Sequence, residues 1–248
     1  MLIKTRGICL HTTNYGETSV IAQVFTEEKG LQSYIISGVR TAKPRVPASL
    51  LQPMTLLEMV AYWREGEERR LYRTKELRAA YTFERVPFEL PRGAVALFAA
   101  EVTLRALRES EAPPELFGFV ERFVVYLDVT PHPLANLPVY FLLEIAGYLG
   151  VRPETPHFGG PYYFDQTQGY FVPEPPEHFR YADPDVSELL VRLSGAGVED
   201  VHEVGSTREA RNGAVAALLD YLRGHFERFS GVSSHRVLAD LFRRSYAT

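Results

Sequence analysis

The hydrophobic period of this 248-residue chain changes between residues 80 and 90, and that switch limits the folds open to it. Before it, the apolar residues alternate as in strands. Residues 3–13 and 18–25 are rich in Ile, Val and Thr, with Asn14-Tyr15-Gly16 as punctuation. Glu27-Glu28-Lys29-Gly30 reads as a turn. Residues 31–39 predict a third strand, with Leu31, Ser33, Ile35 and Val39 on one face and Tyr34 and Ile36 on the other. Residues 55–63 predict a fourth, with Leu57, Met59, Ala61 and Trp63 alternating, and residues 69–77 a fifth. Five short strands in so short a stretch suit a small closed barrel. The OB-fold is the commonest such barrel, and an SH3-like barrel fits the spacing nearly as well.

After the switch the period is helical. Leu116, Phe119, Val120, Phe123 and Leu127 form one stripe of an amphipathic helix. Pro91 suits the first turn of an earlier helix reaching Leu107. Leu134, Leu137, Phe141, Ile145 and Leu149 mark another, with Gly150 as its stop. Asp183-Pro184 opens a short helix, and Ser206-Thr207-Arg208-Glu209 has the form of a capping box. A last helix starts near Ser234. Residues 151–180, with six prolines and three glycines, interrupt the series, and Tyr162-Tyr163-Phe164 and Tyr170-Phe171-Val172 there read as a small hairpin. The expected class is α+β: a five-stranded OB-fold barrel over residues 1–80, then an all-α domain over 81–248 with a hairpin insertion at about 151–180.

Charge divides the chain at the same place. Residues 1–80 hold twelve Lys/Arg against eight Asp/Glu, a balance of +4, whereas the remainder stands at −8. A basic segment joined to an acidic one points to an anionic partner for the first alone. The single cysteine, Cys9, excludes an internal disulfide and any zinc site built on cysteine. The start of the chain lacks the apolar core of a secretory signal, and no apolar run approaches the ~18 residues of a membrane span. A cytoplasmic protein is expected.

Catalysis has little support. The sequence contains no phosphate-binding glycine loop, no G-x-S-x-G and no H-E-x-x-H. No cofactor is expected. His157 and His178 flank the hairpin, but two histidines with Asp165, Glu174 and Glu177 fall short of a structural zinc set, so no metal is expected either. Nucleic-acid binding has the strongest case. Lys4 and Arg6 lie on the first strand, Arg40, Lys43 and Arg45 crowd a loop free of acids, and Arg69, Arg70, Arg73, Lys75 and Arg78 punctuate the fifth strand. Tyr34, Tyr62, Trp63 and Tyr72 are candidate stacking faces, although some of them must fill the barrel.

The run GICLHTTNYGETSVIAQVFTEEKGLQSYIISGVR, the basic loop after it and LQPMTLLEM resemble the N-terminal domain of the RecO family of recombination mediators. LGVRP, the FD…GYF pattern and YLRGHFERFSGVSSHRVLADLF carry the resemblance through the helical region. It implies an OB-fold on a helical domain with a zinc-ribbon-like insertion. It implies binding of single- and double-stranded DNA, annealing of complementary strands coated by single-strand DNA-binding protein (SSB), and help in loading the RecA recombinase. RecR and the acidic C-terminal tail of SSB are the implied partners, and the nucleoid the implied location. Many members carry four cysteines around the insertion; this chain has none and resembles the zinc-less branch. The DNA-binding role carries over to Arg40, Lys43 and Arg45, and in second place to Lys4 and Arg6.

An acidic tail needs a local basic and apolar spot, and the C-terminal helices offer Arg223, Phe226, Arg236 and Phe242. Two other classes stay open on residues alone: an RNA-binding or annealing module, and a protein-interaction scaffold with a merely solvated basic loop.

Overall fold

A computed structural model describes residues 1–63, 71–107, 114–157 and 159–244. These residues form two compact units, Met1–Phe88 with Leu107–Val129, and Glu89–Ala106 with Thr130–Thr248. The chain thus crosses between units three times, rather than once near residue 80.

The first unit is built on a closed barrel of β1 (Leu2–Tyr15), β2 (Ser19–Thr26), β3 (Gly30–Ile36), β4 (Leu56–Tyr62) and β5 (Tyr72–Ala79), in the order β1-β2-β3-β5-β4. That is the OB-fold arrangement. The long β1 serves two neighbours: its second half pairs with β2 and its first half with β4, the change falling at Gly7 and Ile8. A Cβ on Gly7 would lie 2.5 Å from Val24 Cγ1, so only glycine lets the strand turn over the core there. Leu10 is the extra residue of a bulge against β2. The barrel closes through a short parallel contact, Tyr34 against Tyr72 and Ile35 against Arg73.

Cys9, Val24, Tyr34, Ile36, Leu57, Met59 and Ala61 fill the barrel. The alternation expected in β4 holds. In β3 the inward residues are Tyr34 and Ile36, with Ile35 outside, and the strand stops at Ile36 rather than Val39. Apolar side chains on both faces erase the period-2 signal there. The fifth strand is described over Tyr72–Ala79, and the first two residues of its expected span, 69 and 70, lie outside the described residues. Packed into this unit is α2 (Pro114–Val129), which buries the whole expected stripe from Leu116 to Leu127.

The second unit contains α1 (Leu90–Ala106), α3 (Leu137–Tyr148), α4 (Pro184–Ser194), α5 (Arg208–His225) and α6 (His235–Arg244). Val95, Phe98, Phe141, Ile145, Leu218, Leu222 and Phe229 make its core. The N-cap of α5 is Thr207, whose hydroxyl accepts the Ala210 N–H at 3.1 Å. The expected capping box does not form: the cap falls one residue later, on Thr207, which puts Ala210 rather than Glu209 at its third position, and Ser206 donates its hydroxyl to Asn136 Oδ1 at 2.8 Å. The insertion is a three-stranded sheet in the order β7-β6-β8, from β6 (Tyr163–Asp165), β7 (Tyr170–Val172) and β8 (Tyr181–Ala182). No helix among the described residues is long and apolar enough to cross a membrane.

Candidate nucleic-acid interface

Pairing in register sets three rows of side chains across β1, β4 and β5. Leu2, Tyr62 and Arg73 form the first row, Lys4, Val60 and Glu76 the second, Arg6, Glu58 and Arg78 the third. These residues point away from the core, because Ile3, Thr5, Leu57, Met59 and Ala61 between them point inward. Lys75 is the additional residue of a bulge between the Val60 and Ala61 pairings, so β5 presents one more cation than a regular strand would. The strands β2 and β3, SVIAQVFT and GLQSYII, carry no charged residue. The barrel's charge therefore lies on the β1-β4-β5 side.

A groove of about 690 Å³ opens on that side, lined by Lys4, Arg45, Lys75 and Arg78, by Glu58 and Glu76, and by Ile36, Met59 and Leu77 among the apolar residues. Arg45 reaches it from the loop after β3. That loop is closed on itself by the Arg45 N–H donating to Gly38 O at 3.1 Å, with Gly38 at φ +74°. An L side chain rarely adopts that backbone, so glycine shapes the loop. The Arg40 N–H donates to Thr18 O at 3.0 Å and its guanidinium to Gly16 O at 3.2 Å, which pins the loop to the β1–β2 turn. Lys43 is exposed and makes no ion pair with a described residue.

The expected contact residues thus separate. Lys4 and Arg45 meet in the groove, joined by Lys75 and Arg78. Arg40 and Lys43 stand on the adjoining loop, and Arg73 is exposed beside Tyr62. Arg69 and Arg70 lie outside the described residues. Arg6 is engaged otherwise: its guanidinium donates to Glu27 at 2.6 and 2.9 Å and to Glu121 at 2.6 Å, and packs over the Phe117 ring. These partners raise the Arg6 pKa and hold Glu27 below its ordinary value. Arg78 donates to Glu58 at 2.5 and 3.1 Å, which lowers the Glu58 pKa in turn.

The aromatics separate too. Tyr34 is fully buried and Tyr72 nearly so. Trp63 stacks on Tyr72 with centroids 4.5 Å apart, and Lys29 Nζ lies 5.3 Å from the Trp63 centroid. Lys29, which the sequence placed only in a turn, so lies against the Trp63 ring. Tyr62 remains 54% exposed.

In the second unit, Arg223 on α5 and Arg236 on α6 both approach His235, whose pKa is lowered by burial first and by those two guanidiniums next. Arg223 also pairs with Asp220 at 2.6 Å. Phe226 is half-buried under the Arg228 guanidinium, 4.8 Å from its ring centroid, and Phe242 is half-buried on the same helix as Arg236. In the insertion, Asp165 Oδ1 accepts the N–H groups of Thr167 and Gln168, and its Oδ2 meets His178 Nε2 at 3.2 Å. Both carboxylate oxygens are spent on the turn and on His178, and no cysteine is present, so these residues do not fit a zinc site. Among the described residues no cluster of three or more His, Cys, Asp or Glu could hold a metal ion.

Comparison with known proteins agrees over both units. Residues 1–83 match the family model for the N-terminal part of recombination protein O, and residues 87–234 match that for its C-terminal part. The DNA repair protein RecO of Phocaeicola vulgatus is 33% identical, over 98% of this chain and all of its own length. Those of Bacteroides fragilis and of Porphyromonas gingivalis W83 are each 32% identical over the same shares. With both halves matched and full-length relatives above 30% identity, this chain belongs to the RecO family of DNA repair proteins.

Proposed function

We propose that this protein is a recombination mediator that binds single- and double-stranded DNA through its barrel and anneals complementary strands coated by SSB. It then helps to load RecA, working with RecR. The observation that carries the reading is the groove in which Lys4, Arg45, Lys75 and Arg78 converge, next to a loop bearing Arg40 and Lys43. Glu58 and Glu76 offset part of that charge, but Arg40, Lys43, Arg45 and Arg73 make no ion pair with a described residue. Cations at intervals along a groove match a phosphate backbone and ignore base sequence.

The second element of the reading is a site for the acidic SSB tail at Arg223, Arg236, Phe226 and Phe242. Arg223 on α5 and Arg236 on α6, which both act on His235, together with the half-buried rings of Phe226 at the end of α5 and Phe242 on α6, suit a short peptide ending in a hydrophobic residue and a carboxylate.

Three measurements test the proposal. Annealing of complementary oligonucleotides coated with SSB should be accelerated by the protein and slowed by added salt. Charge reversal at Arg223 and Arg236 should abolish binding of an SSB tail peptide and leave annealing of naked strands intact. Loss of both activities together, or neither, overturns the assignment of the tail site. Tighter binding to RNA than to DNA of the same sequence overturns the DNA reading.

A further inference from the structure

The four candidate stacking aromatics, Tyr34, Tyr62, Trp63 and Tyr72, differ in what they offer a ligand. Tyr34 and Tyr72 are buried, and Trp63 has Tyr72 on one side and Lys29 near its ring. Tyr62 is 54% exposed at the end of β4. Its neighbours in register are Leu2 on β1 and Arg73 on β5, and Lys4 stands one row below, opposite Val60. A ring left open to water at the end of a strand, with a cation beside it and another one row along, is an arrangement for a flat, negatively charged ligand. Tyr15, also exposed, pairs with Ser19 and has no cation across from it on β2.

We propose that Tyr62 is a stacking anchor for an unpaired base, placed on the outer β1-β4-β5 face so that a single strand leaving the Lys4–Lys75 groove lays a base on its ring while Arg73 meets the adjoining phosphate. The proposal rests on the DNA-binding reading and adds what that reading lacks, a means of telling single strands from duplex. Phosphate contacts alone serve both forms. A duplex keeps its base faces stacked on one another, so an exposed ring gains nothing from it, whereas every unpaired base has a face to offer. The placement also departs from the usual OB-fold ligand face on the second and third strands, which here carry no charge.

The test uses the full chain and a labelled oligonucleotide, single-stranded or annealed to its complement, at one low salt concentration. Tyr62→Ala should weaken single-strand binding about tenfold, the scale of one base–aromatic stack, and change duplex binding less than twofold. Tyr62→Phe should keep single-strand binding near the wild-type value, because the ring and not the hydroxyl makes the stack. The dependence on salt should be the same in all three proteins, because no phosphate contact is lost. Equal weakening on both DNA forms, no weakening on the single strand, or a Phe variant as weak as the Ala variant each overturns the proposal. A wild-type chain that binds neither form overturns the DNA reading itself, and this proposal with it.

Discussion

Glu101 on α1 holds Ser234, the residue before α6, through a single carboxylate oxygen: Glu101 Oε2 accepts the Ser234 N–H at 2.8 Å and also the Ser234 hydroxyl. The Ser233 N–H reaches both carboxylate oxygens at 3.1 Å. The free N–H groups at the start of α6 are thereby met by an acid from another helix, which also suits the positive end of the helix dipole. Glu101→Ala should cost about 1 kcal/mol, the scale of a lost N-cap. Amide exchange should quicken first at residues 233–237, which hydrogen-exchange mass spectrometry would show.

Asp128 does the same for a turn in the other unit. It is buried and accepts the N–H groups of Glu84, Arg85 and Val86 at 2.8–3.0 Å. Asp128→Ala leaves three backbone donors unmet and should cost about 3 kcal/mol, at about 1 kcal/mol each, measured by urea unfolding. The hydrogen bonds given to Asp128 and Glu101 outweigh the burial that opposes them and hold both below their ordinary values of 3.8 and 4.5. Their stabilisation is therefore complete above those values and is lost as pH falls through the lower folded-state values. An acid titration of the melting temperature should stay level down to about pH 5 and drop below it.

Replacing Arg40, Lys43 and Arg45 together by Ala should weaken DNA binding whatever the sequence. If each holds one phosphate of a single strand, the slope of log affinity against log salt should fall by roughly 2, at about 0.7 per contact. Arg6→Ala should leave that slope unchanged, because Glu27 and Glu121 already take its charge. A fall in slope for Arg6→Ala would place that residue on the DNA.

Asp165 Oδ2 and His178 Nε2, 3.2 Å apart, join the hairpin of the insertion to the segment before β8. Chelators should leave the melting temperature unchanged, and elemental analysis should find less than one zinc per chain. Asp165→Ala should lower the melting temperature, because the Thr167 and Gln168 N–H groups lose their acceptor.

Much of this fold is legible in the sequence, for reasons that can be stated residue by residue. Leu57, Met59 and Ala61 alternate because one face of β4 is core and the other is not. The stripe from Leu116 to Leu127 repeats at helical spacing because α2 buries one side. Legibility ends where a property depends on residues distant in the chain. Arg6 reads as a free cation until Glu121 is brought 2.6 Å from it across 115 positions. Lys75 enters the groove through a bulge that no composition signals. The third strand of the insertion is two residues long, too short for any period. Glu101 resembles any other surface acid on a helix, and its role appears only when α6 begins beside it.

The division of β1 between two neighbours also orders the barrel in time. Its second half faces β2 across a tight turn, Tyr15 against Ser19, and can pair as soon as both are made. Its first half must wait for β4, where Leu2 meets Tyr62 some sixty positions later. Closing so long a loop is entropically costly and slow. On a growing chain, residues 2–6 remain an unpaired sheet edge, open to wrong partners. Lys4 joins Tyr62 and Arg73, which the β4–β5 hairpin has already paired, only at this step. A barrel caught before closure can thus hold its hairpins and still lack the rows that set Lys4 beside β4 and β5.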